Sequence, residues 1–372
     1  MSKRRSRGEG SLYYWEEKKL WVAKFTLPDG KRKTKYSKTQ KEAREWLQTS
    51  LNQLRQGLFI ADDKITVSEF LDRYMEDFAK YSLKQSTFYN YDRMIHLYIK
   101  PDIGEIRLTQ LRADHLHALY AKRRSEGLSD RMVQYVHGIL HRTLNKAVKW
   151  GLITVNPADL AEAPTNRKKE MKIWTAEQVK VFLDHLKNDR WLAVYVTACG
   201  TGLREGELLG LTWSSVNLEE KYLKVTQSLY YIPGVGNTFS EPKSEKSRRM
   251  VMLPEFVVEA LKIHKAKQNE LKKSPDWKES GLVFTTNIGT PIFPRNLVRH
   301  FKVKTKEAGL PEIRFHDLRH SFASLLLEKN VHPKVVQEIL GHSNITLTLN
   351  TYSHIIPTMQ KDAMNTIDKI LS

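Results

Sequence analysis

The chain has 372 residues, too many for one core, and its 40% hydrophobic content suits folded domains and argues against extensive disorder. No apolar run reaches the roughly 18 to 20 residues that span a bilayer, and the basic start MSKRRSRGEG lacks the apolar segment of a secretory signal. Lys and Arg (61) exceed Asp and Glu (42) by 19, while a lone cysteine, Cys199, rules out an internal disulfide and cysteine-rich zinc modules.

Such a cationic excess is expected of a polyanion binder; on charge alone DNA or RNA competes with ribosome, membrane-surface and heparin binding. The excess is uneven. Residues 1–60 hold 15 basic against 6 acidic side chains, residues 61–165 hold 15 against 14, and residues 166–372 hold 31 against 22.

In the first segment LYYWEEKKLWVAKFTL alternates apolar and charged residues with the period of a half-buried strand. A turn at Pro28-Asp29-Gly30 leads to a basic strand, KRKTKYS, and then to a helical run, TQKEAREWLQTSLNQLRQG, ended by Gly57. These elements predict a small three-stranded sheet with one helix packed on it. Lys31, Arg32, Lys33, Lys35 and Lys38 crowd one arm of the hairpin, with Arg4, Arg5 and Arg7 upstream. Lysines also protect solvated edge strands, but the basic arm favours DNA contact.

The second segment opens on a capping-box pattern, Thr66-Val67-Ser68-Glu69. SEFLDRYMEDFA, QSTFYNYDRMIHLYIK, RADHLHALYAKRRSEG and DRMVQYVHGILHRTLNKAVKWG carry helical apolar spacing and predict an all-α bundle of four or five helices. In the last helix Met132, Val136, Ile139, Leu140, Leu144 and Ala147 form the expected buried stripe. Arg131, Tyr135, Arg142, Asn145 and Lys149 fall opposite, as a solvated face or, with Lys122, Arg123 and Arg124 near in sequence, as a DNA groove contact.

The linker NPADLAEAPTNRKKEMK precedes a second capping box, Thr175-Ala176-Glu177-Gln178. Helices then give way to a β-rich stretch, YLKVTQSLYYI, a Pro/Gly turn and SRRMVMLP, and resume after Pro254. The expected class is multidomain α+β: residues 1–60, an all-α bundle at 61–165, and a mostly α domain at 166–372 with a small antiparallel sheet.

Five polar residues near the C-terminal end stand in an order suited to one reaction. They are Arg204 in TGLREGELLGL, His316 and Arg319 in FHDLRHSFA, His342 in LGHSN and Tyr352 in TYSH. Two guanidinium forks can bind the charge that gathers on a phosphodiester in its transition state, and a phenol can attack it. Without the other motifs, Tyr352 reads as a packing residue and Arg319 as an ion-pair member. His316 and His320 have the spacing of helical metal ligands, but Asp317 stands where that motif needs Glu, so no metal is expected.

From about residue 60 onward the chain resembles the tyrosine recombinase (phage integrase) family, and its first segment resembles the arm-type DNA-binding domain of integrases from phages and conjugative transposons. TGLREGELLGL is similar to the family's first-arginine motif, with Arg204 as that arginine and Glu207 as its supporting acid. EPKSEKSRRMVML is similar to the β-hairpin motif that bears a catalytic lysine, placed at Lys243 with Lys246 as the alternative. HDLRH and LGHSNITLTLNTYSH match the remaining motifs through His316, Arg319, His342 and Tyr352. Ser215 departs from the aspartate often found after Trp213. The resemblance implies cofactor-free site-specific recombination through a 3′-phosphotyrosyl intermediate, integrating and excising a mobile element. It further implies a bacterial, nucleoid-associated protein that forms a homotetramer on double-stranded DNA with core and arm sites. Excisionase and a DNA-bending host factor are expected partners, and the tail PTMQKDAMNTIDKILS is expected to pack on its own core or on a neighbouring protomer. A resolvase, a type IB topoisomerase-like enzyme and a DNA-binding regulator on a recombinase fold are the competing readings.

Overall fold

The computed structural model describes residues 10–27, 30, 32–55, 64–165, 172–241, 248–341 and 364. Lys31, Lys243, Lys246, His342 and Tyr352 lie outside them, as do the basic arm and all of the tail but Met364. The chain divides into two compact units, Met1–Lys168 and Lys169–Ser372.

In the first unit the alternating run holds two strands. β1 (Ser11–Trp15) and β2 (Leu20–Thr26) pair antiparallel, because Glu16–Lys18 form a tight turn closed by Lys19 in the left-handed region. β3 (Arg32–Ser37) pairs with the far side of β2. Helix α1 (Gln40–Arg55) packs on this sheet through Ala43 and Leu47 against Ala23, Phe25 and Leu27.

The helical region has its own core. Thr66 caps α2 (Val67–Tyr74) by accepting from Glu69 N at 3.2 Å, and the Glu69 carboxylate accepts from Thr66 N at 2.8 Å, so two orphan donors are satisfied. The rod continues through a π turn at Met75–Ala79 into α3 (Lys80–Ser82). A second rod repeats the pattern, with α4 (Gln85–Met94), a π turn at Ile95–Ile99 and α5 (Lys100–Ile103). Helices α6 (Ala113–Ser125) and α7 (Asp130–Lys149) complete the bundle. The buried stripe of α7 begins one residue later than the spacing suggests. Val133 is fully buried and Met132 is 36% exposed, whereas Val136, Ile139, Leu140, Leu144 and Ala147 are buried as expected.

In the second unit Thr175 caps α8 (Ala176–His185), which packs with α9 (Leu192–Thr201) over an aromatic core of Trp174, Phe182, Tyr195 and Phe301. After the short helix α10 (Glu205–Leu209), the expected single sheet is two. β4 (Val216–Asn217), β5 (Tyr222–Val225) and β8 (Arg249–Met252) form one in the order β4-β5-β8. β6 (Ser228–Ile232) and β7 (Gly236–Ser240) form a separate hairpin. Helices α11 (Glu255–Leu271), α12 (Pro294–Glu307), α13 (Asp317–Glu328) and α14 (Pro333–Leu340) follow. Helix α9 is buried on almost every side, between α11 and α13, which fixes where its C-terminal end emerges.

The cap on α2 is local, so its loss is expected to be local too. Thr66→Ala is expected to cost about 1 kcal/mol. Hydrogen exchange should quicken at Val67–Tyr74 and stay unchanged at Ala176–His185; an even change across both helices would contradict a local cap.

Candidate active site

Helix α14 ends at Gly341, whose φ of 64° lies in the left-handed region. The last carbonyls of a helix have no partner within it and carry the negative end of its dipole. Three arginines from three separate elements meet them here. Arg249 Nε donates to Ile339 O at 2.6 Å, Arg319 Nη2 donates to Leu340 O at 2.5 Å, and Arg204 Nη2 reaches Gly341 O at 3.5 Å.

Arg204 reaches this point because α9 stops just before it. Gly202 ends α9 with φ 62°, and a Cβ there would lie 2.6 Å from Phe322 and 3.0 Å from Leu340. The Gly202 carbonyl accepts from Arg319 Nη1 at 2.8 Å. One guanidinium therefore ties the end of α9 to the end of α14. Arg319 is 3% exposed, while Arg204 keeps 39% of its side chain open.

Glu207 holds the other two arginines together. Its carboxylate accepts from Arg204 Nη1 at 2.7 Å and from Arg249 Nη1 and Nη2 at 3.1 and 2.8 Å. It also accepts from the Arg204 backbone N–H at 3.0 Å, closing the first turn of α10. Burial pushes this carboxyl up, yet the Arg249 hydrogen bonds and the charges of Arg249 and Arg204 outweigh it and hold the group at about 2. Glu205 beside it has no such partner. Its buried Oε1 makes no hydrogen bond, and burial pushes its carboxyl up to about 7.

His316 stands at the start of α13 and is more exposed than the buried Arg319. Partial loss of hydration, together with the charges of Arg319, Arg204 and Arg314, lowers its pKa against the opposing pull of Asp317. His320 meets His316 edge to face at 5.1 Å, and burial with its neighbour's charge brings it down to about 4. Asp317 is buried and held below its usual range, burial being outweighed by the Arg314 fork at 2.7 and 3.0 Å. Two neutral imidazoles at pH 7 therefore flank a cluster of guanidiniums. A neutral imidazole can accept a proton, and forked cations can bind a phosphate.

The structure also places the basic residues singled out by charge. On β3 the period of two divides them. Lys33 and Lys35 stand opposite Phe25 and Ala23 on the helix-bearing face, whereas Arg32 shares the open face with Tyr36 and Lys24. Lys24, whose ammonium sits 4.9 Å from the Tyr13 ring, was hidden in the sequence by its apolar neighbours. On α7, Arg131, Arg142 and Lys149 are exposed on one side with Tyr135.

Residues 172–358 match the model described as phage integrase family, and residues 66–122 match that of the phage integrase N-terminal SAM-like domain. A tyrosine recombinase XerC-like protein of Caldanaerobacter subterraneus subsp. tengcongensis is 31% identical over 359 residues, covering 91% of this chain and 92% of the relative. The chain belongs to the phage integrase family. It is a tyrosine recombinase, an enzyme that breaks and rejoins DNA strands in site-specific recombination. Among solved folds, the Tn1549 transposon integrase in complex with a circular intermediate DNA has a TM-score of 0.71 at 23% identity, covering 82% of this chain and 99% of that one. A lambda integrase tetramer bound to a Holliday junction has a TM-score of 0.60 at 20% identity, covering 93% and 98%.

Two residues of this recombinase's site escaped the sequence reading. Arg249 was legible in principle, since neighbouring side chains entering a strand point to opposite faces; those of Arg248 and Arg249 are 59% and 6% exposed. Gly341 had only its place before His342 to mark it.

Glu207→Gln is expected to destabilise the folded enzyme by about 3 kcal/mol at pH 7, because it leaves Arg249 buried without its counter-charge. The folded pKa is depressed, so the carboxylate's contribution is complete above its ordinary value of 4.5 and is lost as pH falls towards 2. Denaturation curves of the two proteins should thus converge across that window; a gap that stays constant with pH would contradict the ion-pair origin.

Proposed function

We propose that this recombinase integrates and excises a mobile element by cutting DNA at the arginine-capped end of α14, with Tyr352 as nucleophile. The observation that carries the reading is the meeting of Arg319 and Arg204 at the Leu340 and Gly341 carbonyls, just before His342, with Glu207 holding Arg204. Arg204 and Arg319 bind the non-bridging oxygens of the scissile phosphate, and His342 hydrogen-bonds the same group. The phenol of Tyr352 attacks phosphorus as His316 takes its proton. Lys243 protonates the departing 5′ oxygen, leaving a 3′-phosphotyrosine and a free 5′-hydroxyl. In the second step the exchanged strand's 5′-hydroxyl displaces the tyrosine. The phosphodiester energy stays in the tyrosyl link, so the reaction needs no nucleotide cofactor.

Three parts share the work in this proposal. Residues 1–60 read arm sites through the basic segment that includes Lys31, Arg32, Lys33 and Lys35; residues 61–165 grip the core site with Arg131, Arg142 and Lys149; and residues 166–372 cut. Four protomers assemble on paired core sites. Excisionase and a DNA-bending host protein set direction on the bacterial nucleoid. Support for the grip comes from the alignment of Arg131, Arg142 and Lys149 along one exposed side of α7, and from charge, since residues 1–60 hold 15 basic against 6 acidic side chains.

A suicide substrate nicked beside the crossover tests the chemistry. The native enzyme is expected to form a covalent adduct that Tyr352→Phe abolishes, and Arg204→Gln should slow its formation roughly 100- to 1,000-fold. No adduct with any cognate site would sink the reading. Removal of residues 1–60 should abolish arm-site binding in a mobility-shift assay and leave core-site cleavage measurable. Joint loss of both would contradict the division of labour.

A further inference from the structure

The proposed chemistry leaves Arg249 without a task, although it is among the most constrained side chains of the site. Its side chain is 6% exposed and opposes Glu207, itself 7% exposed, through two hydrogen bonds. Its Nε donates to Ile339 O, three residues before His342. Gly341 passes so close that a Cβ there would lie 3.0 Å from Arg249 Cδ and Nη1, in a backbone region that disfavours side chains.

A buried ion pair seldom stabilises more than apolar residues of the same volume, because both charges lose their water. What the arginine provides is direction, since its planar fork fixes several partners at once. Arg249 is the first residue of β8, where it pairs with Val225 on β5, and it follows Lys243 by six residues. The fork therefore joins three things: the strand that receives the chain from Lys243, the acid that orients Arg204, and the helix end that leads into His342.

We propose that Arg249 is a positioning residue for the cleavage step, tying β8 to Glu207 and to the end of α14, and that proton delivery by Lys243 depends on this tie. The inference rests on the acid role proposed for Lys243. Arg249 itself touches no reacting atom. Its loss lets the start of β8 part from α14 while the DNA-contacting surfaces elsewhere persist, so the defect falls on proton delivery and leaves binding intact.

The test uses the full chain and two versions of the nicked core-site DNA, one ordinary and one with sulfur at the 5′ bridging position. A thiolate leaves without needing a proton, so a defect in the acid shrinks on the sulfur substrate. Arg249→Met is expected to hold core-site affinity within about 3-fold, as multiple phosphate contacts dominate it. Its single-turnover cleavage of ordinary DNA should drop by 100-fold or more, a size usual for a lost acid. On the sulfur substrate no more than a third of that loss should remain, and Lys243→Ala should recover in parallel.

Arg249→Lys keeps a charge opposite Glu207 without the fork, and should show the same selective recovery even if the methionine variant fails to fold. Equal losses on both substrates while Lys243→Ala recovers would overturn the role of Arg249. Failure of Lys243→Ala to recover would bring down the acid assignment, and this role with it. Wild-type cleavage by both Arg249 variants would overturn the proposal alone and leave the acid assignment standing.

Discussion

Everything at the site depends on how one helix ends. The last carbonyls of α14 would otherwise face their neighbours without donors, at the negative end of the helix dipole. Arg249, Arg319 and Arg204 meet three of them in succession. Each arginine belongs to a different element, so the same contacts that satisfy the helix gather three parts of the chain. Glu207 then keeps two of the three cations from repelling one another by standing between them. The result is a dense positive site whose charges are paired on their inner side.

The core explains why this gathering is stable. Helix α9 is buried on nearly all sides, so the turn at Gly202 cannot wander, and Arg204 follows it by two residues. Arg319 is anchored by the Gly202 carbonyl on one side and the Leu340 carbonyl on the other. Packing fixes the turn, the turn fixes the first arginine, and the second arginine fixes the helix end. Electrostatics follows from that order. Lost hydration and then the cations lower the basicity of His316, while the cations keep the Glu207 carboxyl ionised and leave the exposed edge of Arg204 as the most accessible of the three guanidiniums.

Much of this was legible in the chain, and the omissions have physical causes. The capping boxes at Thr66 and Thr175 were readable because the signal is local, a hydroxyl three residues before an acid or amide. The motif residues Arg204, Glu207 and Arg319 were marked by type and neighbours, and the structure brings them together around the end of α14. The inward turn of Arg319 was not so marked, because it depends on carbonyls 117 and 21 residues away in sequence. The run LYYWEEKKLWVAKFTL hid a hairpin, since alternation continues on both sides of the turn at Glu16–Lys18. Met132 and Val133 compete for the first place in the stripe of α7, and one residue of phase decides between them.

A crystal structure of the enzyme trapped on nicked core-site DNA tests the central claim most directly. The account predicts a phosphorus atom joined to Tyr352 Oη and to a 3′ oxygen, with Arg204 and Arg319 donating to its non-bridging oxygens beside Gly341. A phosphate held elsewhere, with these guanidiniums bonded to α14 carbonyls and Glu207 alone, would make the cluster a structural clamp and contradict the account.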